Sequence, residues 1–171
     1  MDNAMKRYLI LPLLFTCLNL LGNTFIELID SDFRSTINRI ANTDDIQKFI
    51  YNDYRFAVLT DKEQVRFFII STDFSQIKGY QGTTTLGIIF HADLSVEKLE
   101  IISSQETRSY IRRLNSMGFS QRFINFKQGD EIETISSATM TSKAMIDSVN
   151  ESIEIFRPII EKWLLLEHTA E

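Results

Sequence analysis

The chain has few of the residues from which metal sites and hydrolytic sites are usually built. Its 171 residues include one cysteine, Cys17, and two histidines, His91 and His168. A lone cysteine cannot form an intrachain disulfide, and the two histidines lie too far apart in sequence to suggest a metal cluster. There is no G-x-S-x-G nucleophile turn and no glycine-rich dinucleotide or P-loop motif. We therefore expect no metal site and no conventional hydrolase or nucleotide-binding motif.

The charge balance excludes a further class of partner. Lysine and arginine total 18 against 23 aspartates and glutamates, for a formal net charge of −5. Nucleic-acid binding requires a concentrated basic face, and none is evident, so we expect no nucleic-acid partner. Hydrophobic residues make up 44% of the chain, which is enough for one globular domain with its own core. We assign residues 30–171 to that domain.

The first 29 residues have the pattern of an export signal or a membrane anchor. Lys6 and Arg7 precede an apolar run over residues 8–21, as a charged n-region precedes an h-region. The run is shorter than the about 20 apolar residues of a typical membrane span. Cleavage, lipidation at Cys17, a retained anchor and a buried N-terminal helix all stay open. The expected location is extracytoplasmic, either membrane-anchored or secreted to the periplasm or beyond.

Hydrophobic periodicity predicts an α+β fold in which helices flank antiparallel hairpins. The pattern over residues 31–54 favours a helix that restarts near Thr43. Two β pairs follow, each bounded by turn residues. The strands of these pairs are predicted at residues 55–60 and 65–71, then at 83–94 and 96–104.

The second half of the chain is predicted to be mostly helical. Residues 104–119 have helical spacing, residues 121–126 favour an extended segment, and a long helix is expected from about Thr139. Pro158 falls inside that helix, so we expect a kink or a restart there.

Five hydroxyl residues are crowded between positions 136 and 142, at the predicted start of this last helix, within "EIETISSATMTSKAM" (residues 131–145). They are Ser136, Ser137, Thr139, Thr141 and Ser142. One interpretation is helix capping, in which a hydroxyl accepts from a free amide and contributes about 1 kcal/mol. One cap would suffice for that. The other is phosphate binding, because a helix start offers unpaired N–H groups and the positive end of the dipole.

The segment "ETISSATMTS" resembles the flavinylation motif of the FMN-binding domain family, roughly Asp-x-x-(Ser/Thr)-(Gly/Ser)-Ala-Thr, commonly followed by x-Thr-Ser. The family includes the G subunit of the Rnf complex and the C subunit of the sodium-pumping NADH:quinone oxidoreductase. In this family the threonine after the alanine carries FMN through a phosphoester, and it corresponds to Thr139. The other matching positions are Glu133 for the acidic residue, then Ser136, Ser137, Ala138, Thr141 and Ser142.

Two further segments resemble the family in the right order. "GYQG" is similar to its Gly-Tyr-x-Gly and supplies Gly79, Tyr80 and Gly82. "SSQETRSY" is similar to its Glu-Thr-Pro-Gly-x-Gly loop and supplies Glu106 and Thr107. Arg-Ser-Tyr follows Thr107 in place of Pro-Gly-x, so this loop is expected to have another shape.

The resemblance implies an exported or membrane-tethered electron carrier with covalent FMN, rather than a stand-alone enzyme. It also implies two kinds of partner, a magnesium-dependent flavin transferase for maturation and redox proteins, among them a membrane electron-transfer complex. The competing hypotheses are non-covalent FMN at the same residues and an exported binding or structural domain without a cofactor. The hydroxyl run in register with Ala138 is the feature that distinguishes the carrier with covalent FMN from the domain without a cofactor.

Overall fold

The centre of the domain is a five-stranded antiparallel sheet in which each strand pairs with the next along the chain. The computed structural model describes residues 31–41, 46–51, 54–61 and 64–168. The strands are β1 (Ile46–Tyr51), β2 (Tyr54–Asp61), β3 (Gln64–Ile70), β4 (Thr84–His91) and β5 (Val96–Ser104). The two predicted β pairs are confirmed as β2–β3 and β4–β5.

Helices cover both faces of this sheet, which confirms the α+β prediction. They are α1 (Ser31–Ala41), α2 (Arg108–Ser116) and α3 (Thr139–His168), with 3-10 turns at Ser71–Asp73 and Ser120–Phe123. None of the helices in the described ranges is long and apolar enough to cross a membrane. The predicted export signal or anchor, residues 1–29, lies outside the described residues.

The two sides of the sheet belong to separate hydrophobic clusters because side chains alternate along a strand. On β2, Ala57 and Leu59 join the cluster of α1, whereas Phe56 and Val58 join the larger cluster of α3. Phe156 of α3 lies at the centre of that larger cluster. Its ring contacts the rings of Phe56, Phe67, Phe74 and Phe90 at centroid distances of 5.3 to 6.1 Å. The long helix is thereby anchored on the sheet over its middle turns.

Two local predictions were wrong. The helix restart near Thr43 is contradicted, since residues 46–51 form β1 and pair with β2 along their full length. The phenylalanine, isoleucine and tyrosine in this stretch suit a strand, and ladder pairing outweighs the weak helical pattern. Residues 121–126 are not extended but contain the Ser120–Phe123 turn, followed by Asn125 at φ +64°.

We predicted a kink or a restart at Pro158, and the restart is contradicted because α3 continues through it to His168. A proline inside a helix removes one backbone hydrogen bond, and here the apolar face that spans it holds the helix together. Phe156, Ile159 and Ile160 on either side of the proline are all buried.

Candidate functional site

The helix α3 begins at Thr139, directly after a turn that is closed by backbone hydrogen bonds. The Ala138 N–H donates to Ile135 O at 2.9 Å, and the first bond of the helix runs from Ser142 N to Ala138 O at 2.8 Å. Ser137 has φ +69°, a backbone region that residues other than glycine rarely adopt. The flavinylation motif has glycine or serine at this position. Ala138 is buried in the core below, where a larger side chain would collide.

The five hydroxyl residues do not share one environment. Thr141 and Ser142 are buried, whereas Ser136, Ser137 and Thr139 are exposed. The Ser142 Oγ accepts from Ile135 N at 3.0 Å and is 2.9 Å from Ala138 O, so it ties the turn to the helix. The Thr139 Oγ1 lies 3.5 Å from Ile135 O, at the outer limit of a hydrogen bond. The Thr139 hydroxyl is therefore available at the surface.

None of these hydroxyls caps the helix in the way that the simpler hypothesis predicts. Within the described residues, no side-chain oxygen accepts a hydrogen bond from the N–H of Thr139, Met140 or Thr141. These amides precede the first helical bond and have no intrahelical partner. The start of α3 thus presents three donors and the positive end of the helix dipole next to an exposed hydroxyl.

The buried Thr141 connects this helix start to Glu106, which is 35 positions away in the sequence. The Thr141 hydroxyl donates to Glu106 Oε2 at 2.7 Å. The other carboxylate oxygen, Oε1, accepts from Gln81 N at 2.9 Å and from Gly82 N at 3.0 Å. The turn from Gly79 is itself closed by its N–H donating to Gly82 O at 2.9 Å. One carboxylate therefore joins the Gly-Tyr-Gln-Gly turn to the first turn of α3.

The Glu106 carboxyl is kept ionised although its side chain belongs to a residue only 6% exposed. Burial raises the pKa of Glu106, but the hydrogen bonds from Thr141 and from the amides of Gly82, Gln81 and Tyr80 outweigh that effect. The pKa of Glu106 consequently lies below its ordinary value. Each donor favours the charged form, so the carboxylate acts as a fixed acceptor.

Gly79 is required by the close approach of this carboxylate. A Cβ at position 79 would lie 2.7 Å from Glu106 Oε1 and 3.3 Å from Thr141 Cα. Such contacts are shorter than van der Waals separation, so any side chain here would push Glu106 away from Thr141. Glycine is needed here because of packing, and not because of an unusual φ.

The loop after Glu106 differs from the family pattern as expected. Arg-Ser-Tyr continues directly into α2, and Thr107 O accepts from Tyr110 N at 2.9 Å to begin it. The Tyr110 ring meets the ring of Tyr80 edge-on, with centroids 5.9 Å apart. Tyr80 is 58% exposed, so the two rings form an aromatic pair at the surface beside the Gly79–Gly82 turn.

The structure brings some of the predicted site residues into contact and leaves others apart. Gly79, Gly82, Glu106 and Thr141 form the connected group. Ser136, Ser137 and Thr139 lie on the surface at the helix start without a side-chain hydrogen bond to that group, and Thr107 contributes through its backbone. Ser142 and Ala138 support the turn from beneath.

Sequence reasoning missed one supporting residue, Ser104. Its Oγ accepts from Glu106 N at 3.1 Å and lies 2.8 Å from Thr84 Oγ1 on the neighbouring strand. The two residues are direct partners in the β4–β5 ladder. That pairing was hidden in the sequence because the ladder has two register shifts.

The connected group and the start of α3 lie within one continuous stretch, residues 79–154. Residues 79–154 match the model of the FMN-binding domain family. This part of the chain is similar to the FMN-binding domain family. The match contains the Gly79–Gly82 turn, Glu106 and the hydroxyl run, and it ends within α3. No curated protein matches the chain.

The residues at the start of α3 fit the phosphate of FMN. A phosphate monoester carries about −1.5 to −2 charge at neutral pH, and the amides of Thr139, Met140 and Thr141 are donors without a side-chain acceptor in the described part of the chain. Metal binding has no comparable support, since the described residues contain no group of three histidine, cysteine, aspartate or glutamate side chains. His91 lies at the end of β4, 3.8 Å from Glu97 Oε2.

Proposed function

We propose that FMN is attached covalently to Thr139 through a phosphoester and that the protein is an electron carrier. One observation supports this most directly. The Thr139 hydroxyl is exposed beside three amides that lack a side-chain acceptor, whereas the two buried hydroxyls of the motif are already engaged. The Thr139 hydroxyl makes no short hydrogen bond within the fold, so it is available to react with a flavin phosphate.

The attachment reaction needs a second protein. A threonine hydroxyl is a weak nucleophile at neutral pH, and the hydrogen bond that the structure gives Thr139 Oγ1 goes to a backbone carbonyl, Ile135 O, and not to a side-chain base. A magnesium-dependent flavin transferase would use FAD as the donor. A bond forms between Thr139 Oγ1 and the FMN phosphorus, the pyrophosphate bond of FAD breaks, AMP leaves, and the hydroxyl proton is released.

The residues of the chain then have distinct tasks. The amides at the start of α3 stabilise the phosphate charge, by about 0.3–1 kcal/mol through the helix dipole. Ser137 shapes the turn that presents Thr139. Glu106 and Thr141 hold this helix start against the Gly79–Gly82 turn, and the exposed ring of Tyr80 lies on that turn. The bound isoalloxazine supplies reversible electron transfer, while the protein orients it and sets its environment.

Export also belongs to this proposal. Lys6, Arg7 and the apolar run that follows support an extracytoplasmic location, either anchored or secreted. A covalent bond would retain the cofactor where free FMN is scarce. Electrons would pass between redox partner proteins, as expected for a carrier or a subunit of an oxidoreductase complex.

The proposal is tested by intact mass after co-expression of the full chain with a flavin transferase. We expect a mass gain of one FMN less one water, flavin fluorescence that survives denaturing electrophoresis, and a modified peptide that contains Thr139. Thr139→Val keeps the side-chain shape and should abolish all three signals. Ser136→Ala removes a neighbouring exposed hydroxyl and should leave them unchanged.

Other outcomes would redirect or remove the assignment. Covalent flavin on the Thr139→Val protein would show that Thr139 is not the attachment residue, and Ser136 and Thr141 would be tested next. Flavin that co-purifies but is released on denaturation would establish non-covalent binding. An unmodified mass without bound flavin, with the transferase active on a control substrate, would overturn the proposal.

A further inference from the structure

An open groove lies between the end of β5 and the helix α2. Its volume is about 360 Å³. Ile101 and Ile111 contribute apolar side chains to its lining, Ser103 and Ser104 belong to β5, and Arg108 and Arg112 belong to α2. The lining of the groove thus combines apolar side chains with two positive charges from α2.

The positive charges of Arg108 and Arg112 contrast with the net charge of −5 of the whole chain. Arg108 and Arg112 are one helical turn apart on α2, and the adjacent Arg113 adds a third positive charge to the same short helix. All three side chains are exposed. In the part of the chain that the structure describes, none of the three guanidinium groups forms an ion pair with a carboxylate. By contrast, the lysine and arginine side chains that the structure describes in the sheet are paired, Arg55 with Asp73, Arg66 with Glu97 and Lys98 with Glu100.

The strand beside the groove favours a polypeptide as the occupant. β5 is the last strand in the sheet order, so one of its edges faces away from the ladder. The start of that edge is covered, since Val96 exchanges hydrogen bonds with Asn125 and Phe126. Further along β5 the outer edge pairs with no described strand, and unpaired edges accept extended segments of other chains.

The groove also lies close to the proposed flavin attachment residue. Glu106 lines it and accepts the hydrogen bond from Thr141, two positions after Thr139. Its negative charge is offset by three donors at 2.7 to 3.0 Å. A partner held in the groove would therefore lie next to the start of α3.

We infer that this groove docks an extended acidic segment of the electron-transfer partner, with carboxylates meeting Arg108 and Arg112 and apolar side chains on Ile101 and Ile111. The inference deepens the proposed function, because the partner's role as electron donor or acceptor rests on it. The docking itself requires only the groove and the charges. Opposite charges speed such encounters and make binding sensitive to salt.

The test measures fluorescence anisotropy of labelled synthetic peptides binding to the full chain. The probe alternates glutamate and valine, and the matched probe alternates lysine and valine. We expect the acidic peptide to bind more tightly than the basic one, and we expect its binding to weaken as the salt concentration rises. Arg112→Glu should weaken acidic-peptide binding about tenfold or more. Glutamate is a good helix former, so this exposed substitution should not disturb α2.

Arg34→Glu is the matched control, with the same charge change at an exposed position on α1, across the sheet from α3. It should change acidic-peptide binding less than about twofold, because a distant surface charge is screened. Arg112→Lys keeps the charge and should retain most of the binding. If Arg34→Glu and Arg112→Glu weaken acidic-peptide binding equally, the effect comes from net charge alone and the docking site is overturned. Equal affinity of the wild type for the acidic and the basic peptide would also overturn it.

The same measurement on Thr139→Val separates this inference from the proposed function. We expect that variant to bind the acidic peptide like the unmodified wild type. Covalent flavin on the wild type together with no acidic-peptide binding would overturn the docking site alone. Acidic-peptide binding with no flavin on the wild type would overturn the electron-carrier proposal while leaving the docking site standing.

Discussion

The hydroxyl run at the start of α3 contains two populations that the sequence does not distinguish. Thr141 and Ser142 are buried, and each makes short hydrogen bonds that join segments of the fold. Ser136, Ser137 and Thr139 are exposed and make no short side-chain hydrogen bond. The crowding therefore reflects two tasks in one segment. The buried pair builds the site, and the exposed set supplies the proposed attachment point.

The difference has a physical origin. A buried hydroxyl must find a protein partner, since leaving it unpaired costs about 1–3 kcal/mol. An exposed hydroxyl bonds to water equally well in the folded and unfolded chain. Substitutions in the buried pair should therefore act on stability, whereas Thr139→Val in the exposed set should act on flavin attachment with little effect on stability.

The largest effect is expected from removing the acceptor that the buried network shares. Glu106→Ala leaves the amides of Gln81 and Gly82 and the hydroxyl of Thr141 without their partner. We expect the free energy of unfolding in urea to fall by about 3 kcal/mol. Glu154→Ala, at an exposed position on α3, should change it by less than about 0.5 kcal/mol. A loss below about 1 kcal/mol for Glu106→Ala would mean that the network does not stabilise the fold.

Thr141→Val tests the buried member of the comparison directly. Valine has nearly the same shape but cannot donate to Glu106 Oε2, so we expect a loss of about 2 kcal/mol in the free energy of unfolding. Thr139→Val makes the same chemical change two residues earlier and should cost less than about 0.5 kcal/mol. Equal losses in the two variants would contradict the division into buried and exposed hydroxyls.

Acid should weaken the same network. The folded pKa of Glu106 is depressed, so its ionised form contributes stability that is present above the ordinary glutamate value of 4.5 and is lost as pH falls through the folded pKa. Glu106→Gln removes the titrating group. We expect the stability difference between wild type and Glu106→Gln to shrink as pH falls from neutral to below 4.5 in urea titrations. A difference that does not change with pH would show that Glu106 is not held ionised.

The parts of the molecule that were predicted from sequence are those set by local patterns. The helical spacing after Thr139 and the alternation in the β2–β3 and β4–β5 strands are visible within each segment. The predicted helix and the two predicted β pairs are confirmed. Residues 46–51 were assigned wrongly because their strand depends on pairing with β2. A single sequence does not show which segments of the chain will pair as neighbouring strands.

The candidate site divides in the same way. The family resemblance brought together Gly79–Gly82, Glu106 and Ser136–Ser142 as motifs, without saying how they touch. The bond between Thr141 and Glu106 joins residues 35 positions apart, and only the tertiary structure shows it. Burial is also a tertiary property, so the sequence could not separate Thr141 from Thr139.

The smallest effect is expected at Ser137, within the exposed set. Its φ of +69° carries a steric cost of about 1 kcal/mol that glycine would relieve. Glycine also gains about 0.5–1 kcal/mol of backbone entropy in the unfolded chain. The two terms nearly cancel, so Ser137→Gly should leave the free energy of unfolding within about 0.5 kcal/mol of wild type. Ser136→Gly relieves no positive φ, so it should lower the free energy of unfolding more than Ser137→Gly does. Equal losses of the two variants in urea unfolding would show that the turn at Ser137 is unstrained.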